Sequence, residues 1–411
     1  MKQGHRRPPN LPSCIRGSIL LLSLLALCSV GISTWGQSQT PEKQQRPRRV
    51  GENETKPGSE QKPGGQEVDE GDVVRVDTQL VSVPTIVTNN VGRPIAGLNR
   101  QNFVVYEDGQ KQSITNFGTT EAPFEIALLL DTSGSTRADV SLIRQAANAF
   151  INALRPGDRV ALVAFKDRSE AGSTLATVDV LSNLTDDRKA LQAAIENLGS
   201  SNGTPFYDAL EKIVNEIFRE PPRAELRGRR AVVALTDGVD STSDSVYEEA
   251  RQKILRSGLA CYFIQVNTED FVEDRLLRDC QDNGRLTLSP RQLQRYRQIF
   301  VPKARSEDYG NFCQMGQFER MQISRDLYNL ARREMNDLAR SSGARNFTAA
   351  DLQQARAAFA RVAADIGTQY SLGYYPSNKA RDGKYRAIRV EVLGVKEKNE
   401  VHARQGYFAP R

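Results

Sequence analysis

The chain has 411 residues, 39% of them apolar. That is length for about two domains with tails, and an apolar share on the low side for a chain packed throughout. Its net charge of +6 is concentrated at the start: residues 1–36 hold Lys2, Arg6, Arg7 and Arg16 and no acid, leaving 52 basic against 50 acidic groups. Near-neutrality beyond residue 36 gives no support for nucleic-acid binding, and two histidines (His5 and His402) leave no material for a zinc hydrolase or a His-based triad.

Taken in order, Arg6, Arg7 and Arg16 precede an apolar run from Ile19 to Ile32, with small and polar residues at Ser33–Ser38. This matches a secretory signal peptide over 1–36, with cleavage expected just after Gly36. An uncleaved anchor is the alternative, since the run falls only a little short of the roughly 18–20 apolar residues that span a bilayer. Cys28 would suit a lipoprotein signal, but Leu27 stands where a small residue is wanted. No other stretch is long and apolar enough to cross a membrane, so the chain is expected to be exported: periplasmic, cell-surface or secreted. Residues 37–70, rich in Gln, Glu, Lys, Pro and Gly, cannot offset their ordering entropy and read as a disordered linker.

From Val73 the pattern turns to strands, over a segment taken as 73–120. Val74, Val76, Leu80, Val81, Val83, Ile86 and Val87 form β-branched runs, broken at Asn89-Asn-Val-Gly92. Phe103–Tyr106 and Ser113–Phe117 flank a hairpin turn, Glu107-Asp-Gly-Gln110. About three strands cannot bury a core alone, so a partner is expected elsewhere in the chain.

A second region, 123–368, alternates strands and helices as a doubly wound α/β fold does. The apolar run Ile126–Leu130 ends in Asp131-Thr-Ser133-Gly-Ser135-Thr136: a buried strand that delivers a carboxylate and then hydroxyls on a Gly-containing turn. Val140, Ile143, Ala147, Phe150 and Leu154 mark one helix face. Val160–Phe165 is a strand, and Leu191, Ile195 and Leu198 mark a second helix. Gly203-Thr204-Pro205 opens a third through Phe206, Leu210, Ile213 and Ile217. The run Ala231–Leu235 ends in Thr236-Asp237-Gly238, a helix is expected near 245–256, and Ala260–Val266 is the next strand. Helices near 324–341 and 349–367 close the region.

In such sheets ligands bind beyond the carboxyl ends of the strands. Asp131, Ser133, Ser135, Thr204 and Asp237 are therefore expected on one edge: two carboxylates and three hydroxyls, all hard oxygen donors. That set suits Mg²⁺, with Mn²⁺ or Ca²⁺ as substitutes, and two carboxylates roughly neutralise the ion so that it still attracts an anion. Alone, Asp-x-Ser-x-Ser reads equally as an Asx-turn with a helix cap. With its strand, helix and matching loops, the constellation resembles the von Willebrand factor A (vWA) domain with its metal-ion-dependent adhesion site. That resemblance implies metal ligation by these five residues and a partner whose acidic side chain completes the metal's shell. A haloacid-dehalogenase-like phosphatase, the nearest rival, would carry a second Asp where Ser133 stands, and no Gly-x-Ser-x-Gly elbow is present.

Residues 270–320 are charge-rich, fit the vWA pattern poorly and read as an insertion with little core of its own. Cys280 and Cys313 within it are expected to pair if the chain is exported, whereas Cys261, in a strand, reads as an apolar filler. At 369–411, strands are expected at Gln369–Tyr375, Tyr385–Val392 and Val401–Phe408. These would join the 73–120 strands in one sandwich-like all-β subdomain, with the α/β domain inserted between its halves. Asn102–Gly109, Leu372–Pro376, Tyr385-Arg386 and Arg404-Gln-Gly-Tyr407 resemble the secreted acidobacterial-type VWFA-related domain family, which carries no common reaction. The expectation is an exported, non-enzymatic module that binds a protein through its acidic side chain by way of a metal. Loops at 136–139, 167–174 and 200–204 would set selectivity. A structural scaffold with a merely stabilising metal, and a metal-dependent hydrolase, are the alternatives.

Overall fold

The computed structural model describes residues 80–411 apart from 120–122, 137–139, 171–172, 222–228 and 277–287. The expected leader, the linker and Cys280 lie outside the described residues. Strand β5 (Glu125–Leu130) is the axis of a six-stranded sheet, and all six of its residues are buried. Its side chains alternate between two cores. Ile126, Leu128 and Leu130 pack with helices α1 (Val140–Ala153), α2 (Arg188–Glu196) and α8 (Leu352–Thr368). Ala127 and Leu129 face α3 (Phe206–Lys212), α4 (Tyr247–Ser257) and the second half of α7 (Gln317–Ser342). A strand covered on both faces must be apolar throughout, which is why Ile126–Leu130 shows no polar alternation.

Parallel pairing joins β5 to β6 (Arg159–Glu170) on one side and β8 (Arg230–Thr236) on the other. Beyond β8 come β9 (Ala260–Val266) and β10 (Asn346–Ala349), also parallel. Strand β7 (Ser173–Thr185) adds antiparallel to the free side of β6. The doubly wound, mostly parallel architecture is as expected. Two of its strands had no counterpart in the sequence reading: β10 has four residues, and β7 is a mostly half-buried edge strand without a long apolar run.

Both chain ends build two further four-stranded sheets. One has the order β13-β1-β11-β4: β13 (Asn399–Ala403), β1 (Val81–Asn89), β11 (Tyr370–Tyr374) and β4 (Ile114–Gly118). The other has β14 (Gly406–Phe408), β12 (Tyr385–Val392), β2 (Phe103–Glu107) and β3 (Gln110–Gln112). Val83, Val87, Phe103, Val105, Leu372 and Ile388 meet in one core between them, while Ile86, on the opposite face of β1, joins the α/β core. The β2–β3 turn has positive φ at both Asp108 and Gly109, the primed geometry that suits a two-residue hairpin. The single strand expected over Val401–Phe408 is a correction: β13 and β14 fall in different sheets, with Arg404 and Gln405 between them.

Glu107, 3% exposed, fastens the sandwich. Tyr374 Oη and Tyr407 Oη both donate to its Oε2, at 2.7 and 3.0 Å, and Arg386 Nη1 donates to Oε1 at 3.3 Å.

The insertion is a second correction, because it has a core. Helix α5 (Glu269–Leu276), α6 (Pro290–Phe300) and the first half of α7 bury Val272, Leu293, Tyr296, Ile323 and Leu327 together. Ser289 caps α6 by accepting from Gln292 N, with Pro290 in the first turn. Cys313 is disulfide-bonded and Cys261 is free and buried.

Candidate metal centre

The carboxyl ends of β5 and β8 lie side by side, where Asp131 N donates to Leu235 O at 2.9 Å. The chain leaves β5 for α1 on one face of the sheet and β8 for α4 on the other, which opens the crevice between the two strand ends. Asp131 is fully buried: its Oδ1 accepts from Ser133 N at 2.9 Å and its Oδ2 from Thr236 Oγ1 at 2.6 Å. Thr136 Oγ1 donates to the carbonyls of Asp131 and Ser133 and closes the turn. The loop carrying Thr204 is drawn in by Ser201 N donating to Thr132 O, and by reciprocal bonds between Thr204 and Ser241. Asp167 ties that loop to the end of β6, accepting from Asn202 N at 2.8 Å.

The sequence-expected residues thus come together. Ser135 Oγ donates to Asp237 Oδ2 at 2.7 Å, with Ser133 Oγ 3.4 Å from Ser135 Oγ. Ser133, Ser135, Thr204 and Asp237 line one cavity of ≈ 80 Å³, with Asp131 seated behind them. Of the loops expected to set selectivity, 137–139 and 171–172 lie outside the described residues.

Electrostatically the site is short of positive charge. Among the described residues no Lys, Arg or His pairs with Asp131 or Asp237. Burial, then repulsion from Asp237, pushes the Asp131 carboxyl up to about 7. The Thr204 hydroxyl has no hydrogen-bond partner among the described residues. Two buried carboxylates without a counter-ion, facing hydroxyls with lone pairs to give, fit a hard divalent cation. Among the described residues no group of three or more His, Cys, Asp and Glu gathers, so a metal here would lean on Ser and Thr oxygens.

Four contributors escaped the sequence reading. Thr236 holds Asp131, and Asp240 accepts from Phe206 N and Tyr207 N at the start of α3; burial pushes its carboxyl up to about 6. Thr268 Oγ1 donates to Asp237 Oδ2 at 2.7 Å, which leaves Tyr328 Oη to donate to Thr268 Oγ1 at 2.8 Å. Burial, then the Asp237 charge, holds the Tyr328 phenol well above its usual range. Thr236 had a signal, being adjacent to Asp237, whereas Thr268 and Tyr328 reach the site only through the fold.

The model of the von Willebrand factor type A domain family matches residues 126–239, from the second residue of β5 to just past Asp237. This stretch is a von Willebrand factor type A domain. The vWA match takes in all five expected site residues and stops before the insertion. No curated protein matches the chain. Solved structures with some likeness include a von Willebrand factor type A protein from Catenulispora acidiphila: 12% identity, 81% of this chain and 74% of that one, TM-score 0.38. BatB from Bacteroides thetaiotaomicron matches at 14% identity over 59% of this chain and 98% of its own, TM-score 0.36. Proximal thread matrix protein 1 from the mussel byssus matches at 10% identity over 61% of this chain, TM-score 0.37. The chain spans about half of that last protein, 49%.

Proposed function

We propose that this protein is an exported interaction module whose vWA domain holds a divalent cation and captures an acidic group of a protein partner through it. Ser133, Ser135 and Thr204 would present hydroxyl oxygens to Mg²⁺, Mn²⁺ or Ca²⁺, and Asp131 and Asp237 would supply the balancing charge. The observation that carries the reading is the buried, base-free carboxylate pair set among those three hydroxyls. A cation bound there would supply an electrophilic point for an oxygen anion. The protein keeps both carboxylates oriented through Thr236, Ser133 N and Thr268 and holds the hydroxyl turn closed through Thr136.

Binding rather than catalysis is the role proposed, because the donors gathered at the site are those of ligation. Export rests on the basic, then apolar, segment at 1–36; among the described residues no helix is long and apolar enough to cross a membrane. The test is calorimetric titration of the purified protein with Mg²⁺ and Mn²⁺ beside Asp131→Ala. Saturable uptake at one site, lost in the variant, is expected. No uptake by the unaltered protein would refute the reading. Uptake that raises the melting temperature while partner capture from the native envelope is unaffected by chelator would replace it with a metal-stabilised scaffold.

A further inference from the structure

The cavity at the metal loops has a second wall, and that wall comes from outside the matched domain. Val272 of α5 and Leu327 of α7 line it together with Ser133, Ser135, Thr204 and Asp237. So does Ser324, one turn before Tyr328 on α7, which is 1% exposed and whose Oγ has no hydrogen-bond partner among the described residues. A buried hydroxyl left unsatisfied destabilises the fold, so its presence on a cavity wall points to a polar group that arrives from outside. The Tyr328–Thr268–Asp237 chain of hydrogen bonds fixes this helix against the metal loops.

From this we infer that the insertion makes the site selective for a carboxylate carried on a short aliphatic stem, such as a Glu side chain, with Val272 and Leu327 taking the stem and Ser324 donating to the acid. This rests on the metal reading above. The cavity is lined on one side by oxygens that suit an anion only when a cation is present. On the other it is lined chiefly by Val272, Leu276, Leu288 and Leu327, which suit methylene groups, with Gln292, Ser324 and Tyr328 as the polar members of that wall. Its volume of ≈ 80 Å³ has room for a few heavy atoms and not for a folded loop. The two halves together describe a small amphipathic acid.

The probes are acetate and butanoate, titrated by ligand-observed proton NMR against the Mg²⁺-loaded protein, with Mn²⁺ affinity of each variant read separately by electron paramagnetic resonance. Each methylene buried on α5 and α7 should tighten binding roughly fourfold, so butanoate should bind roughly fifteenfold tighter than acetate. Leu327→Ala should flatten that difference. Ser324→Ala should weaken both acids by a similar factor, about tenfold. Neither variant should change Mn²⁺ affinity. Because Ser324→Ala removes an unpaired group and leaves packing intact, it remains informative if Leu327→Ala fails to fold. Equal affinity for acetate and butanoate in a protein that takes up Mn²⁺ would overturn the inference and leave the metal site standing. Absence of Mn²⁺ uptake would overturn both.

Discussion

Without a cation, the carboxylate pair should make the protein less stable as the pH rises, and Asp131→Asn should abolish that loss. Asp131 has its carboxyl raised from 3.8 to about 7 in the folded protein. An acid whose folded pKa lies above its unfolded value holds its proton more tightly when folded. Its contribution is therefore fully present below the unfolded pKa and disappears as the pH climbs through the folded one. The window runs from about pH 4 to pH 7. A shift of about three units at about 1.4 kcal/mol each gives a ceiling of about 4 kcal/mol for the whole window. Asp240 and Asp365, each raised to about 6 by burial, push in the same direction and persist in the variant. The difference between the two curves is then what isolates Asp131. Urea denaturation in chelator at steps from pH 4.5 to 8 measures it. Added Mg²⁺ should return most of the lost stability to the unaltered protein at pH 8 and none to Asp131→Asn. Parallel curves for the two proteins would refute the picture of an uncompensated pair.

Other outcomes follow from the same geometry. Ser135→Ala and Thr204→Ala should each weaken Mn²⁺ binding by roughly tenfold, about 1.4 kcal/mol, while unfolding midpoints in chelator move little. Glu107→Ala should cost about 3–5 kcal/mol in urea denaturation, since it strands a buried Arg386 and two tyrosine hydroxyls. Gly238 sits at φ +76°, and a Cβ there would press on the buried Met335 side chain of α7. Gly238→Ala should therefore destabilise the protein by about 2 kcal/mol or more, measured by thermal unfolding. Ser324→Ala should raise the melting temperature, by the equivalent of about 1 kcal/mol, through removal of a buried hydroxyl without a partner.

The central sheet was legible because its strands obey one-dimensional rules. Ile126–Leu130 and Ala231–Leu235 are unbroken apolar runs, the first followed directly by Asp131 and the second by Thr236-Asp237, and helix α1 repeats apolar residues at helical spacing. The gathering of Asp131, Ser133, Ser135, Thr204 and Asp237 at one sheet edge was legible for a related reason, since strand ends set where Asp131 and Asp237 must stand. Strand β7 was missed because half-burial dilutes its pattern, and β10 because Asn346–Ala349 is too short to show one. The insertion was misjudged as core-poor since Ile323, Leu327 and Tyr328 share a helix with many charges, and their partners Val272 and Tyr296 lie far away in sequence. Its reach to Asp237, through Thr268 and Tyr328, is tertiary information with no local trace.

The sandwich has a consequence for how the chain is made. Strand β1 finds its neighbours in β11 and β13, and β2 pairs with β12, so among the described residues strands made early wait for strands made late. During directional synthesis or threading across a membrane, Val83, Val87 and Val105 stay without a core until residues 370–408 emerge. The α/β domain, whose strands pair only among themselves, can close in the meantime. Entry and exit of that domain meet where Gly118 pairs with Ser371, so its completion brings the two waiting halves together. A ribosome that stops early would therefore release a finished α/β domain trailing unpaired strand edges, a species open to aggregation and to proteases.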